Sequence, residues 1–249
     1  MVLIAQLSDL HVGAINHVEK TLLDAIAQIN DLNPDLVVLT GDLTENGYYL
    51  EFLRVFEFLD LIESPLMVLP GNHDSRHVGN ETFEEVFHDR RGILTDGTDD
   101  LKVIGLDSSE PDLDYGKVGR PQQRWMEEQL LEVQKNNQYK IIALHHHIIP
   151  VPKTGRERNV LADAGDILDS LTKNNVDLVI SGHKHVPYVW KLENTVFATA
   201  GTVSSLKLRG KDTNSFNTYK LKDEFLEIYL NRVYGKRHLM GKYDNICSP

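Results

Sequence analysis

The chain predicts an α/β fold, either helices packed around a central sheet or two stacked sheets, with a mixed C-terminal edge. Three observations lead there. Short β-rich apolar runs alternate with segments whose apolar residues recur at helical spacing. Beyond about residue 186 the alternation gives way to strands alone. Five of the runs end directly in polar segments rich in histidine and aspartate.

The first run, Val2 to Leu7, stops at Ser8-Asp9-Leu10-His11, and a helical face with Leu22, Leu23, Ile26 and Ile29 follows. Leu36 to Thr40 is the second strand and ends in Gly41-Asp42; Phe52 to Leu61 is its helix. Leu66 to Pro70 runs into Gly71-Asn72-His73-Asp74. Leu101 to Asp107 precedes a helical face over Trp125 to Val133. Lys140 to Leu144 ends at His145-His146-His147, and after a helical segment at Ile167 to Leu171 the run Leu178 to Ser181 ends at Gly182-His183-Lys184-His185. The strand-only part follows at Tyr188 to Leu192, Val196 to Ala200, Phe216 to Leu221 and Phe225 to Val233. Residues 1–235 read as one domain, and 236–249, where hydrophobic patterning fades, as a loose tail.

Composition narrows the function. With 26 Lys+Arg against 37 Asp+Glu the formal net charge is −11, which speaks against capture of a nucleic-acid polymer or an anionic membrane, since both need a positive field. No apolar run approaches the roughly 18 residues of a membrane helix, and the N-terminus lacks a basic segment of the secretory kind. A single cysteine, Cys247, excludes an intrachain disulfide framework and fits a cytoplasmic protein. Histidine is the outlier: seven of the 11 lie in the five polar segments.

In open α/β sheets ligands bind outside the carboxyl ends of the strands, so five segments at five such ends converge on one place. Any one of them is ordinary turn or cap chemistry by itself. Together they supply imidazoles, carboxylates and an amide carbonyl without thiolate, a donor set suited to Mn²⁺, Fe²⁺, Zn²⁺, Co²⁺ or Ni²⁺. Asp9, His11, Asp42, Asn72, one of the clustered histidines, His183 and His185 are too many for one tetrahedral ion. They suit two ions about 3.5–4 Å apart sharing a carboxylate, the arrangement used for in-line displacement at phosphorus.

The ordered set D-x-H, G-D, G-N-H-D, H and G-H-x-H, spanning Asp9 to His185, resembles the calcineurin-like metallophosphoesterase superfamily. Gly41 to Gly47, Leu69 to Asp74 and Gln122 to Leu130 are most similar to its class III cyclic-nucleotide phosphodiesterases and glycerophosphodiesterases. The resemblance implies a four-layer α/β/β/α sandwich with two divalent ions, Mn²⁺, Fe²⁺ or Zn²⁺, at its edge. It makes Asp9, His11 and His185 ligands of one ion, Asp42 the bridge, and Asn72, His183 and His145 ligands of the other. His147 stands where related sequences carry proline, which leaves His146 as the alternative to His145. The resemblance further implies in-line attack by a metal-bridging hydroxide on a small phosphodiester, first a 3′,5′-cyclic nucleotide. His73 would protonate the leaving group and Glu45 would orient it, with Asp74 the second candidate for that role. Arg76 and His146 are candidates for substrate contact, although an arginine in such a loop more often faces solvent. Asn46 replaces the arginine with which phosphoprotein phosphatases grip their substrate. A repair-type nuclease, a broad-specificity phosphoesterase and a non-catalytic scaffold are the alternatives. The strand-rich C-terminal part could cover the pocket or pair with a second subunit.

Overall fold

The computed structural model describes residues 1–96, 101–135, 138–152, 154, 160–222 and 225–244. These form, in chain order, β1 (Val2–Leu7), α1 (Glu19–Leu32), β2 (Leu36–Thr40), α2 (Tyr49–Leu59), β3 (Leu66–Leu69), α3 (Gly79–Phe87), β4 (Gly92–Thr95), β5 (Leu101–Gly105), α4 (Arg120–Lys135), β6 (Tyr139–Ala143), α5 (Ala164–Lys173), β7 (Leu178–Ser181), β8 (Tyr188–Leu192), β9 (Thr195–Thr199), β10 (Ser215–Lys222), β11 (Phe225–Arg232) and β12 (His238–Asp244).

The strands build two mixed six-stranded sheets, ordered β12-β11-β10-β1-β2-β3 and β4-β5-β6-β7-β9-β8. Strict period-two alternation explains why they stack. In β1, β2 and β3 the residues Val2, Ile4, Leu36, Val38, Met67 and Leu69 face the second sheet, meeting Leu101, Val103, Ile141, Ala143, Leu178 and Ile180. Their sequence neighbours Ala5, Leu7, Val37 and Leu39 face outward onto Leu22, Ile26 and Ile29 of α1 and Phe52, Val55 and Phe58 of α2. On the far side Ile104, Ile142 and Val179 carry Met126 and Leu130 of α4 and Ile167 and Leu171 of α5. Strands buried on both faces read as continuous apolar runs, which is how they stand in the sequence. The result is the four-layer sandwich; the single-central-sheet alternative does not hold.

Three elements escape the sequence patterns. The helix α3 is short, and β4 is a four-residue edge strand. The stretch expected as a loose tail from 236 carries β12, which pairs antiparallel with β11 and lays Met240 and Tyr243 against the inter-sheet core. As an edge strand with four of its seven residues exposed and a bulge opposite Ile228 and Tyr229, it shows little apolar alternation. Cys247 and the rest of 245–249 lie outside the described residues.

β1, β2 and β3 are mutually parallel, as are β5, β6 and β7, so their carboxyl ends gather at one edge of the sandwich. Gln6 stitches the two sheets there, its Nε2 donating to Thr40 Oγ1 at 2.9 Å and to the Ser181 carbonyl at 3.0 Å.

Candidate metal centre

The motif residues sit where strands end and the backbone must turn at once. Asp9, His11, Asp42, His183 and His185 all take left-handed φ angles between 52° and 74°, a conformation that costs of order 1 kcal/mol or more for a side-chain-bearing residue and persists only where its surroundings enforce it. The motif glycines let the turns pack. A Cβ at Gly41 would lie 2.7 Å from both the Gly71 nitrogen and His145 Nδ1, and one at Gly182 would lie 1.9 Å from Ser8 Oγ. Asp74, the second candidate for orienting His73, turns its carboxylate to other donors. Its carboxylate accepts the N–H groups of Leu43, Thr44 and Gly71 at 2.8–3.0 Å, tying the second and third motif loops together. Burial, then the nearby Asp42 charge, pushes its pKa up to about 6 against those bonds.

Two donor groups face each other across Asp42. In one, His11 Nε2 stands 3.0 Å from His185 Nε2, and His185 Nε2 is 3.2 Å from Asp9 Oδ1. In the other, Asn72 Oδ1 lies 3.1 Å from His145 Nε2 and 3.0 Å from His183 Nδ1, with the two ring nitrogens 3.2 Å apart. Asp42 reaches both, Oδ2 at 3.8 Å from His11 Nε2 and Oδ1 at 3.3 Å from His145 Nε2.

Partners on the outer side of each ring fix the tautomers. A carbonyl cannot donate, so the ring nitrogen opposite it carries the proton. His145 Nδ1 donates to the Thr40 carbonyl at 2.7 Å, His185 Nδ1 to the Lys207 carbonyl at 2.8 Å, and His11 Nδ1 to Glu45 Oε2 at 2.9 Å. In the neutral rings the inward nitrogens are therefore lone pairs. Two such lone pairs 3.0 Å apart, as in neutral His11 and His185, repel unless a metal ion or a proton lies between them; in the metal-free chain burial opposes a second proton on His185, but the Asp9 charge outweighs it and favours one. Ligand bonds of about 2.1 Å meeting at roughly 90–110° would place neighbouring donors about 3.0–3.4 Å apart, the spacing found here. The residues fit a pair of divalent ions.

The electrostatics agree. Burial raises the pKa of Asp42, but the adjoining His145 and His73 outweigh it and hold the carboxyl well below its usual range; His185 and His145 do the same for Asp9. Burial holds His11 and His183 below the usual imidazole range, which keeps their lone pairs available.

His146 bonds Ser108 Oγ through Nδ1 at 2.9 Å, but its ring lies 4.6 Å from that of His183, its Nε2 is buried without a hydrogen-bond partner among the described residues, and with His145 and His183 it forms a third group of donors close enough to hold an ion. His147 stacks on His183. His73 Nδ1 donates at 2.8 Å to the main-chain carbonyl of Glu45; the Glu45 carboxylate is 3.6 Å away and belongs to His11 and Lys207 instead. The orientation expected from the Glu45 side chain is thus supplied by its backbone. Arg76 does not simply face solvent. Its guanidinium donates to the Glu45 carbonyl at 3.1 Å, to His73 Nε2 at 3.2 Å and to Asp114 at 3.3 Å. Thr40, Ser108 and Lys207 carry no motif signal and were reachable only through the fold. The other histidines stand apart from the cluster; His17 Nδ1 bonds the Leu10 carbonyl and His77 Nδ1 the Asn46 carbonyl.

Comparison with known proteins places this geometry. An Arcobacter nitrofigilis protein named a probable glycerophosphodiester phosphodiesterase is 33% identical over 200 residues, 74% of this chain and 71% of its own. A Vesicomyosocius okutanii protein named a probable cyclic nucleotide phosphodiesterase is 25% identical over 226 residues, 88% of this chain and 93% of its own. The crystal structure of a dimetal phosphatase from Danio rerio superposes with a TM-score of 0.76 at 13% identity, covering 96% of this chain and 98% of that one, a likeness of fold. The sequence model for calcineurin-like phosphoesterases matches residues 2–187, every motif segment included, and the chain belongs to that family.

Proposed function

We propose that this chain hydrolyses a small-molecule phosphodiester, a 3′,5′-cyclic nucleotide foremost, at a centre of two divalent ions. Asp9, His11 and His185 would hold one ion, Asn72, His145 and His183 the other, with Asp42 placed between the two groups. The observation that carries the reading is the pair of donor groups sharing Asp42, with His73 beside them, its ring 4.6 Å from that of His11. Divalent ions held there supply Lewis acidity and activated water for displacement at phosphorus. Mn²⁺, Fe²⁺ and Zn²⁺ all suit the mixed nitrogen and oxygen donors.

The remaining steps belong to the chain. His73, fixed by the Glu45 carbonyl at Nδ1, delivers a proton from Nε2 to the leaving oxygen when the ring acts as the imidazolium, the Arg76 contact at that nitrogen being given up. A positioned acid of this kind contributes about 10²–10⁴-fold. Arg76, beside that nitrogen, meets the phosphoryl anion as it enters, and His146 lines the side nearest His183. The relatives' names favour a diester over a monoester, and divide between cyclic nucleotides and glycerophosphodiesters. The −11 net charge does not oppose this, because two divalent ions against Asp9 and Asp42 leave the pocket locally about +2.

The test is hydrolysis of an aryl phosphodiester and its monoester by metal-stripped protein given Mn²⁺, Zn²⁺ or no metal. A panel of cyclic nucleotides, glycerophosphodiesters and dinucleotides follows. Metal-dependent diester turnover is expected, with the best kcat/KM on a cyclic nucleotide. Turnover of the monoester alone would overturn the diesterase reading, and a preference for glycerophosphodiesters would replace the substrate.

A further inference from the structure

The donor group of Asp9, His11 and His185 is braced from outside by one lysine, whereas its counterpart is braced by a strand. Lys207 lies in the loop between β9 and β10. Its main-chain carbonyl takes the His185 Nδ1–H at 2.8 Å, and its ammonium donates to Glu45 Oε1 and Oε2 at 2.8 and 3.1 Å. Glu45 Oε2 in turn accepts the His11 Nδ1–H at 2.9 Å. One residue thus closes a ring around both imidazoles of the half-site. The loop is itself anchored: Leu206 N–H donates to the Asn16 carbonyl at 2.9 Å, and the Lys207 N–H to Ser205 Oγ at 3.2 Å. His145, in the other half-site, leans on the Thr40 carbonyl at the end of β2 and needs no side chain for support.

We propose that the Lys207 ammonium is a positioning group for one ion only: it holds the Glu45 carboxylate, and through it the His11 ring, in the orientation that the Asp9–His11–His185 half-site requires. The inference rests on the two-ion reading above. Two properties separate this role from general stability. The pair is partly exposed, Lys207 39% and Glu45 20% at the side chain, and such pairs add little to folding. A lysine charge near a cation is also repulsive, so deleting it would tighten metal binding if charge alone mattered. Weakened binding after deletion therefore reports lost orientation. A carboxylate behind a ligand histidine is the kind of support whose loss costs 10–100-fold in affinity.

The experiment titrates Mn²⁺ into the metal-free full-length protein, as wild type, Lys207→Met, Lys207→Arg and Glu45→Gln, by calorimetry with counting of bound Mn²⁺. Co²⁺ loading followed by NMR of the histidine ring N–H signals assigns the affected site. Wild type is expected to take up two ions. In Lys207→Met, one site should weaken about tenfold or more, with the His11 and His185 signals as the ones lost and the other site unchanged. Glu45→Gln should weaken the same site, Lys207→Arg should restore it, and melting temperature should hardly move. Unchanged or tighter binding in Lys207→Met overturns the proposal, as do equal weakening of both sites, failure of Lys207→Arg to restore, or a raised KM with metal binding intact, which would make Lys207 a substrate contact. Fewer than two ions on wild type would instead remove the two-ion reading itself, and this inference with it.

Discussion

Arg76 donates to His73 Nε2 at 3.2 Å while the opposite nitrogen of the same ring donates to the Glu45 carbonyl at 2.8 Å. The neutral ring is thereby held in the tautomer with Nε2 unprotonated, and the acid role requires a second proton at that nitrogen in place of the guanidinium contact. A phosphodiester reaching His73 must share or displace that contact. His73→Ala is expected to lower kcat by about 10²–10⁴ for a diester with an alkoxide leaving group and far less for a nitrophenolate, with metal content unchanged. Equal losses on both substrates would remove the acid role.

Arg76 bonds three groups at once, and a lysine ammonium lacks the planar fork for that. Arg76→Ala should raise KM for a diester about tenfold or more, and Arg76→Lys should recover little of it. Full recovery by lysine in steady-state kinetics would show that only a positive charge is needed.

Within the histidine run, His145 sets its Nε2 near Asn72 Oδ1 and His183 Nδ1, while His146 bonds Ser108 Oγ through Nδ1 and leaves Nε2 without a hydrogen-bond partner among the described residues. His145→Ala is expected to bind one divalent ion per chain by elemental analysis and His146→Ala two. The reverse result would exchange their roles.

The pH dependence of metal uptake follows from His145. Burial lowers its pKa, but the Asp42 charge outweighs this and lifts it to about 9 in the metal-free chain. An entering ion must displace that proton, so apparent affinity should fall about tenfold per pH unit below pH 9. The sign for stability is the opposite of an acid's. In the metal-free chain the His145–Asp42 pair contributes fully below the free imidazole value near pH 6.5, and its contribution is lost as pH rises through about 9. Calorimetry in two buffers of different ionisation enthalpy measures the released proton; none released at pH 7 would contradict the assignment.

At Gly182 an added Cβ would lie 1.9 Å from Ser8 Oγ and 2.8 Å from Asp9 Oδ2. Gly182→Ala should cost about 1–3 kcal/mol of stability and weaken metal binding through Asp9. Ser8→Ala in the same chain should relieve part of the loss. A wild-type melting temperature for Gly182→Ala would show that the turn yields freely.

Much of this protein is legible in its sequence because its constraints are local and periodic. Strands buried on both faces are continuous apolar runs, and the five motif segments begin where those runs stop, so both the α/β class and the place of Asp9, Asp42, Asn72, His145 and His183 can be read directly. β12 was not legible, because an edge strand needs only backbone pairing and leaves most of its side chains exposed. The outer supports of the site were not legible either. That Glu45 serves His11 with its carboxylate and His73 with its backbone is a matter of where two loops cross. Lys207 reaches Glu45 across 162 residues of sequence, from a loop with no motif. The candidate ligands are written at strand ends because coordination chemistry admits few residue types. Ligand orientation is decided only in the folded chain, because any carbonyl or carboxylate brought within 3 Å of a ring nitrogen can supply it.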